Sequence, residues 1–103
     1  EGLRDVFQVP RLQDDATSAW AQYTLKVDRR DDLMASLKSY GIPSAVYYPI
    51  PLSLQEGYKF YPSVSSGTTN SEYLSSSVLS LPMHPYLSKE AQENIINILT
   101  SLP

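Results

Sequence analysis

The sequence predicts an α+β domain: a small, mostly antiparallel sheet of about three strands, with two main helices on one face. Three observations carry this. Residues 18–27 alternate with a period of two, and residues 42–48 and 78–81 are short extended runs that each end at a proline. Two other segments, 28–41 and 88–102, carry apolar residues at helical spacing between cap signals. Strands separated by single helices in the order β-α-β, an irregular segment, then α-β-α suggest one sheet covered by its helices.

Residues 1–7 place Leu3, Val6 and Phe7 at helical spacing, like the end of a helix, and Val9-Pro10 stops it. Residues 11–17 are polar and read as a loop. In the first strand Ala19, Ala21, Tyr23, Leu25 and Val27 share one face; Trp20, Gln22, Thr24 and Lys26 share the other. Asp28 offers an N-cap oxygen, and Asp31 and Asp32 put negative charge in the first turn of the next helix. Leu33, Met34, Leu37 and Tyr40 make its apolar stripe, and Gly41 closes it where a left-handed residue is needed.

The second strand is expected over residues 42–48, with Pro43 at its start and Pro49 at its end. Pro49-Ile50-Pro51 cannot continue a sheet, so a loop with one helical turn is expected through Gly57. Residues 58–69 are irregular and rich in serine. Thr69-Asn70-Ser71-Glu72 reads as a capping box that opens a short helix. Residues 78–81 form the third strand. Ser88 caps the last helix, whose Ile95, Ile96, Leu99 and Leu102 form one stripe.

Composition bounds the function. At 103 residues the chain is one domain, a size that buries roughly 60–70% of its unfolded surface. Hydrophobic residues at 42% and charged residues at 18% argue against disorder. Without cysteine there is no disulfide framework and no thiolate metal site. No apolar run approaches the roughly 18 residues of a membrane span. Net charge is −3 and the largest basic cluster is Arg29-Arg30, so a nucleic-acid footprint is missing. The eight tyrosines suit buried rings with hydroxyls at a rim or interface better than base stacking.

The candidate chemical groups are few. Lys26, Lys38, Lys59 and Lys89 read as solvated amines on polar faces, in a helix start or in a loop. The 65–69 stretch of hydroxyls lacks phosphate-loop spacing. His84, between Pro82 and Pro85, has no second histidine for a paired metal site, and reads as a structural group rather than a proton shuttle. Tyr47 and Tyr48 are the best functional candidates. They precede a rigid Pro-x-Pro loop, where fixed side chains meet ligands; one is expected to pack inward and the other to reach into a cleft.

Two punctuated phrases go further: Tyr47-Tyr48-Pro49-Ile50-Pro51-Leu52-Ser53-Leu54-Gln55 and Leu79-Ser80-Leu81-Pro82-Met83-His84-Pro85-Tyr86-Leu87. Together they resemble the C-terminal domain of the DegT/DnrJ-type sugar aminotransferases, in which similar phrases read H-Y-P-x-P-L-H-x-Q and L-S-L-P-M-H-P-Y-L. The resemblance runs from about Trp20 to the end. Tyr48, Pro49, Pro51, Leu52, Gln55 and Tyr58 match, whereas Tyr47 and Ser53 stand where the family has histidines.

The resemblance implies a small C-terminal domain over residues 18–103, with residues 1–17 as a lead-in. A catalytic N-terminal domain, holding the reactive lysine and pyridoxal phosphate, would lie outside this chain. It implies a cytoplasmic homodimer that moves an amino group from glutamate to a nucleotide-linked keto-sugar, for polysaccharide or antibiotic sugars. It assigns substrate contacts to Tyr47, Tyr48 and Gln55, and structural or interface roles to His84 and Tyr58. It places no catalytic, cofactor-binding or metal-binding residue in this stretch. The alternative from the residues alone is a free-standing α+β binding or dimerisation module.

Overall fold

A computed structural model describes residues 2–102. Strand β1 is Tyr23–Lys26, helix α1 is Arg30–Ser39, a 3-10 turn covers Leu52–Leu54, helix α2 is Thr69–Ser77, strand β2 is Val78–Leu81 and helix α3 is Lys89–Ser101. β1 and β2 pair antiparallel, with Tyr23 opposite Leu81 and Lys26 opposite Val78. A single antiparallel bridge extends each side, Gln8 to Lys26 and Ala45 to Ser80.

The expected second strand is therefore reduced to the Ala45 bridge, where the Ala45 and Ser80 amides exchange bonds of 3.1 and 2.8 Å. Pro43 has no amide to donate and Pro49 stops the run, so little ladder can form. β1 is also shorter than the alternation from residue 18 suggests. Trp20 lies in the left-handed region at φ 48°, and β2 offers only four residues before Pro82.

The core lies on one face of the sheet. Leu25, Leu79 and Leu81 pack there against Leu33 and Leu37 of α1 and Ile95 and Leu99 of α3. Each such side chain, once buried, contributes about 1.5–3 kcal/mol. Two main helices on one face are thus as expected. The α1 stripe is narrower than its pattern, because Met34 and Tyr40 face solvent.

Helix ends follow local chemistry, with two shifts. Gly41 has φ 71°, and its amide and that of Ile42 donate to Lys38 O and Leu37 O at 3.0 and 2.9 Å. This is a Schellman closure with Leu37 and Ile42 both buried in the core. Ser88 Oγ accepts from Ala91 N at 3.1 Å and caps α3. α1, however, is preceded by Arg29 rather than capped by Asp28, with no side-chain cap bond. At α2 the flanking residue is Thr68, not Thr69, and its hydroxyl donates to Glu72 Oε1 at 2.7 Å instead of forming a box.

At the N-terminal end, Leu3 to Phe7 make one turn, with Phe7 N donating to Leu3 O at 2.9 Å. No helix is present there among the described residues; Leu3 is buried and Phe7 packs on the core. The expected helix end begins at Glu1, which lies outside the described residues. The second sheet face carries Thr24, Lys26, Val78 and Ser80, with the Thr24 and Ser80 hydroxyls 2.9 Å apart. No helix among the described residues is long and apolar enough to cross a membrane.

Candidate functional site

Where the chain leaves Ala45 it runs past α2 and leaves an open groove of ≈ 470 Å³. Tyr47, Tyr48 and Gln55 line it together with Ser71, Leu74 and Ser75 of α2 and Val78 of β2. All three residues assigned to substrate contact thus meet in one place. Tyr58 and His84 do not line it.

Tyr47 and Tyr48 are 50% and 74% exposed, with ring centroids 6.1 Å apart at 76°. Neither packs inward as the expected alternation required, because regular pairing ends at Ala45 before the chain reaches them. Gln55 Nε2 donates to Ile50 O at 3.2 Å and ties off the Pro49-Ile50-Pro51 loop. Ser53, in the 3-10 turn, donates to Glu72 Oε1 at 3.2 Å and so links that turn to α2. Two supports of the groove, Glu72 and Arg30, escaped sequence reasoning as such. In the sequence Glu72 reads only as part of a cap. The only signal at Arg30 was a cation at a helix start, against the dipole.

Tyr58 lies just beyond, its ring centroid 5.9 Å from that of Tyr61. Phe60, Tyr61 and Val64 continue an exposed apolar stretch. His84 is exposed in a turn, its carbonyl accepting from Leu87 N at 3.1 Å. Lys59 and Lys89 form ion pairs with Glu56 and Glu93, and Lys26 lies over the Tyr73 ring.

The lining has no charged side chain among the described residues. It offers phenol and serine hydroxyls and one amide beside Ile50, Pro51, Leu52 and Leu74. Such a surface can hydrogen-bond hydroxyls and cover C–H faces, and it cannot move protons by a titrating carboxylate or imidazole. No group of His, Asp or Glu among the described residues could hold a metal ion.

Over residues 1–100 the chain matches the DegT/DnrJ/EryC1/StrS aminotransferase family. The chain belongs to this family. It is 38% identical over 95 residues to a UDP-2-acetamido-2-deoxy-3-oxo-D-glucuronate aminotransferase of Pseudomonas aeruginosa, covering 89% of this chain and 25% of that protein. A solved DegT DnrJ EryC1 StrS aminotransferase from Brucella abortus superposes with a TM-score of 0.93 at 48% identity, covering 96% of this chain and 26% of that one. A Bacillus subtilis chain solved with bound cofactor PMP matches with a TM-score of 0.77 at 26% identity, covering 95% and 23%.

The chain thus spans about a quarter of the length of the curated relatives it matches. Pyridoxal phosphate is the cofactor expected for the family. Its chemistry calls for a lysine and a carboxylate at the ring nitrogen, and the groove is lined by neither. The residues that line the groove do not fit the cofactor.

Proposed function

We propose that this chain is the C-terminal domain of a pyridoxal-phosphate-dependent transaminase that aminates a nucleotide-linked keto-sugar. Its groove forms one wall of the sugar cleft, while the lysine and cofactor belong to an N-terminal domain. Residues 18–103 are the domain and residues 1–17 lead into it. Glutamate is the amino donor, and the whole enzyme is a cytoplasmic homodimer making sugars for polysaccharides or antibiotics. Tyr58 and His84 serve as structural or subunit-contact groups.

One observation carries this reading. Tyr47, Tyr48 and Gln55 line a single uncharged, hydroxyl-bearing groove with no lysine in it. The substrate class is supported by the Pseudomonas relative, whose name is that of an aminotransferase acting on a UDP-linked keto-sugar. The isolated chain is expected to bind no cofactor and to show no transaminase activity.

The test uses the whole enzyme. Tyr48→Ala should raise KM for a UDP- or dTDP-linked keto-sugar by about tenfold, with the glutamate half-reaction little changed. An unchanged KM for the sugar would remove Tyr48 from the cleft. A lysine-linked cofactor chromophore in the isolated chain would overturn the division of labour.

A further inference from the structure

Arg30 is the first residue of α1, the end of a helix that disfavours cations. An arginine there ordinarily turns into water. Arg30 is instead only 9% exposed. Its Nε donates to Asp31 Oδ1, and its Nη1 donates to Ser75 O at 3.1 Å and Val78 O at 3.2 Å.

Those two carbonyls straddle a joint. α2 ends at Ser77 and β2 begins at Val78, with no loop between them. The last carbonyls of a helix have no partner within it, and a cation at that end is favourable. Ser75 and Val78 both line the groove. One guanidinium therefore ties together two residues that line the groove, one from α2 and one from β2, without lining it itself.

We infer that Arg30 is a positioning residue for the groove: it fixes the angle at which α2 leaves β2, and so sets where Ser71, Leu74 and Ser75 meet the groove that Tyr47, Tyr48 and Gln55 also line. It touches no ligand itself. Nη1 alone serves both carbonyls while Nε is held by Asp31, so the planar guanidinium is fixed along its edge, whereas an ammonium is a point charge on a flexible stem. The consequence for the keto-sugar rests on the function proposed above; the consequence for α2 does not.

The experiment compares Arg30→Met and Arg30→Lys in the whole enzyme with wild type. KM for the nucleotide keto-sugar, the rate of the glutamate half-reaction, and amide hydrogen exchange in α2 and α3 are measured. Arg30→Met should raise the sugar KM by roughly tenfold or more while the glutamate half-reaction stays within about twofold. Arg30→Lys should fall between, a partial rescue. Amides in the last turn of α2 should exchange faster in both variants, with those of α3 unchanged.

A wild-type sugar KM in either folded variant overturns the inference. So does an equal loss in both half-reactions, or equal acceleration of exchange in α2 and α3, which marks general destabilisation. If Arg30→Met does not fold, Arg30→Lys decides by the same criteria. If the wild-type enzyme turns over no nucleotide keto-sugar, the proposed function fails, and hydrogen exchange alone decides the role of Arg30.

Discussion

The Lys26 ammonium lies 4.7 Å from the centroid of the Tyr73 ring, joining β1 to α2 across the sheet face that the core leaves open. A cation over an aromatic face is worth about 0.5–1 kcal/mol where partly exposed. A double-mutant cycle of Lys26→Met and Tyr73→Leu, read by urea unfolding, should return a coupling of that size. Additive effects would mean that the contact does not stabilise the fold.

Gly41 tests backbone conformation without packing. A Cβ there would meet nothing within 4 Å, yet φ is 71°. Gly41→Ala should cost about 1–2 kcal/mol through the left-handed backbone alone, and Gly41→Asn less. Equal midpoints for all three in urea unfolding would contradict this.

Ser88 separates capping from packing, since it is exposed and its hydroxyl accepts only the Ala91 amide among the described bonds. Ser88→Ala should lower stability by about 1 kcal/mol, and Ser88→Asp should retain most of it. Thermal melts of the two variants would distinguish them; a melting point for Ser88→Ala equal to wild type would deny the cap.

Leu79 and Phe60 are opposites. Leu79 is fully buried at the middle of the core, and Phe60 is 85% exposed. Leu79→Ala should cost about 2–5 kcal/mol, whereas Phe60→Ala should stay within about 0.5 kcal/mol in this chain by itself. In the proposed homodimer, Phe60→Asp tested by sedimentation would show whether the apolar stretch is a subunit contact: a weakened dimer supports it and an unchanged one excludes it.

Much of the architecture was legible because it rests on local chemistry. The Gly41 closure, the Ser88 cap, the β2 run and the Leu33, Leu37, Ile95 and Leu99 stripes each need only a few adjacent residues. Tyr47, Tyr48 and Gln55, which sit in one short proline-punctuated phrase, also come together in the groove. What pairing does to a strand was not legible. Residues 42–48 look extended, yet Pro43 has no amide to give and only Ala45 joins the ladder. The outward setting of both tyrosines follows from that. Arg30 and Glu72 act on partners far away in sequence, at Ser75 and Val78 or at Ser53, and no spacing rule announces such bonds.

The two regular strands among the described residues are sequence-distant: α1, the 3-10 turn and α2 all intervene between β1 and β2. A growing chain cannot zip Tyr23 to Leu81 until everything between them has been made. Closing so wide a loop before any ladder forms makes folding slow relative to a hairpin of equal stability. Until then Leu25 has no sheet partner to shelter it, and the ribosome-bound intermediate carries that vulnerability.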